Sequence, residues 1–579
     1  MSIALVAVVA VVVLALGYLL YGSWIARQYA LDDQRTTPAV IKNDGVDFVP
    51  EKPFSLLSQH FSAIAAAGPI AGPILACAAF GWLPCLLWII IGVVLIGAVH
   101  DFSALVASIR HGAHSIAEIA RQHLGKRAYV AMVAFIWLAL LYVIVAFTQI
   151  TADTFVGKAE ELTGLNVTFN KGGAVAMAST LYLALALVVG LLQRYFRLPL
   201  WLVTLIFVPA TLGCVWAGTK LDWVLNQPAQ FWFAAILVYC FIASMLPMWL
   251  LQQPRGFLGG WVLYLAIAVG VIGVLFGGFS VKQPALTDAA SAILNPLTSF
   301  EKVLEGNTGA TVGTMLFPFL FVTIACGACS GFHGLICGGT TSRQIAKESH
   351  CKPIGFGAML LEGFVAVIAL ATIMKLAPEE SKGLPAARIY GDGLADFFGV
   401  IAGKEAILFA ATFGAMAFST FVFDTLDVST RLGRYLLSEL LGIKSWLGGT
   451  IAAGVTAGVP LAVLLTSDPN GYRLYWTLFG TANQLLAAIT LLGVAVWLYN
   501  HGKRCWFVVL PMLFVGTTTV TALVLQIISG FAAAARTGQV FSAPSINALV
   551  GLLLLSLAAY LVLCAVRSVR NAPPLTQEF

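Results

Sequence analysis

The chain holds 579 residues, 60% of them hydrophobic and only 10% charged, with a mean hydropathy of +0.92. About a quarter of a soluble domain is charged, so this chain cannot cover itself with a polar shell; its apolar runs are also too long and continuous for the alternating ~10-residue strands of a membrane barrel. The net charge of +6 is read as loop charge that orients the chain rather than as a nucleic-acid surface, and no nucleic-acid partner is expected.

Residues 1–26 contain no charged side chain. A secretory signal needs a basic n-region, so this run is expected to stay as the first span. Runs of bilayer-spanning length then recur between Gly, Pro and charged clusters. They predict an all-α integral membrane protein of about 15 transmembrane helices, near 2–26, 58–79, 84–109, 127–152, 174–192, 198–218, 230–250, 257–279, 311–338, 355–375, 405–430, 446–466, 474–498, 505–528 and 546–566. The longest polar segments are 27–57, 280–310 and 376–404. The first carries Asn-Asp-Gly and Pro turn signals and either packs beneath the membrane domain or simply links two spans. With the N-terminus outside, 21 of the 32 Lys and Arg residues fall on the inner side. Positive charge concentrates on cytoplasmic loops, which places the N-terminus outside and the C-terminus in the cytoplasm.

The run FSAIAAAGPIAGPILACAAFGW puts Gly68, Pro69, Gly72 and Pro73 in the middle of an expected span. Backbone groups at membrane depth stay unpaired only when buried in protein or facing a water-filled cavity. Secondary transporters bind substrate at such broken helices. An ordinary kink or a close helix contact would use the same residues; a second interruption favours the transporter reading. It lies in MLFPFLFVTIACGACSGFHGLICGG, where Ser330, Gly331, Phe332 and His333 sit among Gly327, Gly334, Gly338 and Gly339. By the charge assignment the first broken span runs outward and the second inward. Paired broken helices of opposite direction predict a 5+5 inverted-repeat core. Its halves are 58–218 and 311–498; residues 1–57 form a leading helix and polar loop, 219–310 two intervening helices and a long loop, and 499–579 two closing helices with a short cytosolic tail. Gly68, Pro69, Gly72, Pro73, Ser330, Gly331, Phe332 and His333 are the expected substrate contacts.

Ionisable groups inside spans are costly and mark pathways or paired contacts. His100 and Asp101, in IGAVHDFSALVASI, are either an orienting pair or proton-transfer groups. Glu362, in MLLEGFVAVIAL, has no basic residue within a helical turn and is assigned with them to proton coupling. His60 precedes the first break and is placed in the same cavity. Asp424, Asp427, Arg431 and Arg434 share one helix face and read first as an i,i+4 ion-pair ladder. Thr425, Ser429 and Thr430 on that stretch are a possible site for a cation such as Na⁺. Asn483 and Gln484 read as helix–helix hydrogen-bonding groups. Cys326 and Cys329 form a CxxC without an evident fourth ligand, so no metal is expected. The chain has no phosphate-binding loop, dinucleotide fingerprint, GxSxG or HExxH element, so ATP-driven transport, an enzyme and a bound cofactor are all disfavoured.

The blocks HFSAIAAAGPIAGP, WLPCLLWIIIGVVLIGAVHDFSALVASIRHGAHSIAEIA, ASMLPMWLLQQPRGFL, IACGACSGFHGLICGGTTSRQI and TLFGTANQLLAA resemble the carbon starvation protein A (CstA) family, over about residues 1 to 500. Gly68, Pro69, Gly72, Pro73, His100, Asp101, Gly331, Phe332 and His333 fall on the matching motifs. Cys329 and Cys337 do not belong to that pattern, which weakens a thiol site. The resemblance implies a multi-pass transporter of the bacterial inner membrane with a LeuT-like core. It also implies peptide uptake in response to carbon starvation, or pyruvate–proton symport. The expected function is secondary active import of small peptides coupled to H⁺, with pyruvate/H⁺ symport and sodium-coupled amino-acid or peptide transport as alternatives. Lipid and substrate are the expected partners.

Overall fold

The computed structural model describes residues 1–44, 48–65, 67–156, 160–162, 167–196, 198–221, 227–287, 315–403, 406–443, 445–466, 472–539 and 542–570. Most of the expected loop 280–310 and the tail beyond Arg570 lie outside the described residues. The helices of eight or more residues among the described residues are α1 (Ile3–Gln28), α2 (Pro53–Ile64), α3 (Gly68–Phe80), α4 (Trp82–Arg110), α5 (Ile116–Leu124), α6 (Lys126–Phe155), α7 (Lys171–Phe196), α8 (Leu200–Lys220), α9 (Ala229–Met245), α10 (Gln252–Phe276), α11 (Leu316–Thr323), α12 (Gly331–Gly339), α13 (Glu348–Met374), α14 (Ala386–Ala402), α15 (Ile407–Leu440), α16 (Trp446–Thr466), α17 (Tyr472–Asn500), α18 (Trp506–Thr537) and α19 (Ala543–Arg570). β structure among the described residues is one short antiparallel pair, Glu160–Leu162 with Val167–Phe169, apart from isolated bridges.

Twelve of these helices are long and apolar enough to cross a bilayer, or thirteen if α2 and α3 count as one bent span. The expectation of about fifteen differs at three places. Span 58–79 is two helices meeting at 45°, 230–250 is the 17-residue α9, and 311–338 divides into α11 and α12. Large apolar side chains such as Leu5, Leu20, Trp201 and Leu549 point outward, as a lipid-facing surface requires. The chain is a multi-pass membrane protein.

Two packing groups position the site. Helices α6, α9, α15 and α16 all pack on one another. Around the breaks the contacts are reciprocal: α3 lies against α13, the helix after the second break, while α12 lies against α4, the helix after the first. Both of those long helices contain a π-helical turn, Val93–Gly97 in α4 and Lys352–Gly357 in α13, a local widening common at functional sites.

Two polar segments carry structure that hydropathy does not reveal. Residues 376–404, expected as a loop, contain α14, because Ile389, Tyr390, Leu394 and Phe397 share one helical face and are buried against α10 and α15. Its outer face is held by ion pairs from Lys171 to Asp392 and from Lys375 to Asp396. Residues 27–57 do more than link two spans. Glu51 N–H donates to the Gln344 carbonyl at 3.0 Å, and the buried Glu348 accepts from Arg110 at 3.0 Å and from the Asp32 N–H at 2.9 Å.

Candidate functional site at the two helix breaks

The first break falls just ahead of its expected place. Ala65 leaves the helical region (φ −74°, ψ 67°), and the Ile70 and Ala71 N–H groups donate to the Ala67 carbonyl at 3.2 and 2.8 Å. Gly68 to Pro73 therefore form the opening turns of α3. Pro69 costs little there, since an N–H in the first turn has no intrahelical acceptor. The glycines serve close approach. A Cβ at Gly68 would overlap Cys326, one at Gly72 would lie 2.6 Å from the Thr323 carbonyl oxygen, and one at Gly327 would lie 3.3 Å from the Pro69 Cα. In this conformation Gly68 and Gly72 face the other broken helix, so the two breaks touch.

At the second break, Ile324 (φ −96°, ψ 55°) ends α11 and the extended Ser330 (φ −125°, ψ 126°) begins α12. The exposed end of α12 is closed by a side chain from α17. Asn483 Oδ1 accepts the Phe332 N–H at 2.8 Å, and its Nδ2 donates to Ser330 Oγ at 3.0 Å and to Cys326 Sγ at 3.3 Å. Read from sequence as helix–helix glue, Asn483 is the cap of the second half-helix. A small cavity beside it is walled by Ile136, Leu140 and Val143 of α6 and by Phe332, Leu335 and Asn483. Gln484 donates to the Phe321 carbonyl at 2.9 Å, holding α11 to α17.

The ionisable residues converge. His333, on the first turn of α12, places Nδ1 2.8 Å from Asp101 Oδ2 and Nε2 3.2 Å from Glu362 Oε2. The second oxygen of Asp101 lies 2.7 Å from His100 Nδ1. All four side chains are fully buried. Glu362, which has no basic neighbour on its own helix, is thus partnered across helices, a contact that local sequence cannot express. The Ile64 carbonyl, at the end of α2, faces the same imidazole. His60, one turn earlier, places Nδ1 2.8 Å from Thr341 Oγ1. The four residues can pass a proton along Glu362–His333–Asp101 while Asp101 balances the charge of either ring.

The Asp424–Arg434 ladder does not form as expected. Arg255 of α10, missed in the sequence because it reads as loop charge, pairs with both Asp424 and Asp427. Arg431 instead donates to the Ala243 and Leu246 carbonyls at 2.7 and 2.6 Å. Thr425 and Thr430 donate back to the Phe421 and Leu426 carbonyls of their own helix, and Ser429 is buried beside them. Among the described residues no group of three or more His, Cys, Asp or Glu is arranged to hold a metal ion.

A buried cluster of ionisable side chains where two broken helices abut is an arrangement that suits a multi-pass membrane transporter. The profile of the family described as carbon starvation protein CstA matches residues 2–392 and 381–522, and the chain belongs to that family. It is 34% identical over 558 residues to the peptide transporter CstA of Helicobacter pylori (strain J99 / ATCC 700824), covering 84% of this chain and 76% of the relative. It is 29% identical over 621 residues to the pyruvate/proton symporter BtsT of Escherichia coli (strain K12), covering 90% and 81%. Among solved structures, that of MhsT in complex with L-phenylalanine aligns over 90% of this chain and 99% of its own, at 13% identity and a TM-score of 0.46.

Proposed function

We propose that the chain is a proton-coupled importer of small peptides in a bacterial inner membrane, with its N-terminus outside and its C-terminus in the cytoplasm. One observation carries the reading: a single imidazole on the second half-helix meets Asp101 from the helix after the first break and Glu362 from the helix after the second. A proton on that ring therefore alters contacts in both halves at once. Substrate sits between the breaks, with its carboxylate displacing Asn483 Oδ1 from the Phe332 N–H. The cavity wall of α6 then receives an apolar side chain.

The same packing supports an inverted repeat with boundaries that differ from 58–218 and 311–498. Helix α9 packs on α16, and each of them packs on both α6 and α15. That pattern suits α9 and α16 as equivalent fourth helices. The hairpin α7–α8 is then an insertion, and α10 is the fifth helix of the first half. Two inserted helices preserve every direction, so the opposed broken helices remain.

The test is uptake by purified protein in proteoliposomes under imposed proton and sodium gradients, with labelled dipeptides, amino acids and pyruvate. Accumulation of dipeptide driven by the pH difference alone is expected; accumulation indifferent to pH refutes the coupling. Pyruvate is the second reading, favoured by the tightness of the cavity and its single amide, which suit one small carboxylate. Competition between pyruvate and dipeptides separates the two.

A further inference from the structure

Away from the relay, the densest charge within the helices lies where α2, α7, α10 and α15 meet. Arg255, fully buried, sets Nη2 2.7 Å from Asp424 Oδ1 and pairs through Nη1 with Asp427 Oδ2. Tyr239 of α9 donates to Asp427 Oδ2 at 2.8 Å, and Tyr182 of α7 donates to the Arg255 carbonyl at 2.7 Å. Arg431, the next cation along α15, is engaged by backbone carbonyls. Two carboxylates thus share one guanidinium, and the charge of Arg431 reaches Asp427 but not Asp424, which is the less compensated of the two. Burying an uncompensated charge is strongly unfavourable, and the usual relief is protonation.

Asp427 Oδ1 and Asp424 Oδ2 each lack a hydrogen-bond partner; Asp424 Oδ2 and the likewise unpartnered, buried Ser62 Oγ of α2 form a pair. Both converge on Gly259 with the Tyr182 hydroxyl: a Cβ at that glycine would lie 2.8 Å from Asp424 Oδ2, 3.4 Å from Tyr182 OH and 3.7 Å from Ser62 Oγ. We propose that Asp424 is a second proton-carrying carboxyl, holding its proton on Oδ2 between Ser62 and Tyr182. A proton fits better than a metal cation, because the guanidinium already takes the other oxygen and would repel a second cation.

The position gives the proton a mechanical role. The last turn of α2 presents Ser62 toward Asp424 and the Ile64 carbonyl toward His333, while His60 holds Thr341. Neutral Asp424 donates to Ser62 while ionised Asp424 accepts from it, so the proton sets the direction of the hydrogen bond that ties this turn to α15. This link to transport rests on the proposed function, whereas the protonated carboxyl itself does not.

The experiment is pH-difference infrared spectroscopy of the full chain in lipid, following the carbonyl stretch of protonated carboxylic acids. Asp424→Asn should remove one such band. Asp427→Asn should remove it as well, because Arg255 would then match Asp424 one to one and leave it ionised. Glu362→Gln should leave that band in place. Ser62→Ala should shift the band by removing the acceptor. A spectrum of Asp424→Asn with every wild-type band intact overturns the proposal, as does a Ser62→Ala spectrum whose band stays in place, since the proton would then sit on Asp427. Wild-type uptake indifferent to pH would instead refute the transport reading alone.

Discussion

Replacing Glu362 by Gln removes one charge from the relay while preserving the shape of the side chain. His333 Nε2 lies 3.2 Å from Glu362 Oε2, so the attraction between the charged forms is about 5 kcal/mol at an effective dielectric near 20. An amide forfeits that attraction and cannot accept the proton that leaves Nε2. Coupling to one proton converts a gradient of one pH unit, about 1.4 kcal/mol, into roughly tenfold accumulation. In proteoliposomes with an alkaline lumen, wild type should therefore concentrate labelled substrate about tenfold per pH unit. Glu362→Gln should only equilibrate it, while exchange of internal for external substrate continues. Tenfold accumulation by the variant would mean that protons travel by another route and would refute the relay.

Asn483→Leu should leave the Phe332 N–H unpaired in a dry site and cost about 1–3 kcal/mol, read as a lower thermal midpoint in detergent. Gly72→Ala should cost a similar ~1–3 kcal/mol by overpacking, because the atom met at 2.6 Å is a backbone carbonyl that cannot rotate away; Gly125→Ala, whose added Cβ meets nothing within 4 Å, separates this clash from strain, since Gly125 has a positive φ of 94°. Arg255→Met should be worse, about 3–5 kcal/mol, since it strands the buried Asp427 carboxylate beside Asp424; recovery of folded protein by gel filtration measures it. His123, outside the spans, contacts His111 Nε2 at 2.7 Å. Burial, then the neighbouring His111 and His501, pushes its pKa down from 6.5 to about 4. Neutral in the fold and protonated when unfolded, it contributes stability above pH 6.5 that is lost as pH falls toward 4, about 3 kcal/mol in all. Thermal midpoints across that range should fall for wild type and flatten for His123→Gln.

The residues that announce themselves in the sequence are those whose chemistry conflicts with their surroundings. Gly68, Pro69 and His333 in apolar runs marked both breaks, and Glu362 marked a site simply by being a carboxylate within a span. Partners were harder to read. Arg255 sits near a helix end, where a cation is usually solvated, and only the fold swings it between Asp424 and Asp427. Asn483 looks like any amide in a membrane helix until α17 is laid beside the end of α12. Helix α14 was hidden by its charges, because hydropathy averages a polar face with an apolar one.

The crossed packing of the breaks also sets a schedule for the chain's making. The GPIAGP turns find their neighbours in residues 323–327 and in α13, which a ribosome reaches only some 250 to 300 residues later. At about 5–20 residues per second that delay is roughly 12 to 60 seconds. Throughout it, a helix carrying two prolines and an interrupted backbone precedes the residues that cover it in the folded protein, so the first half cannot reach its final packing until the second is made.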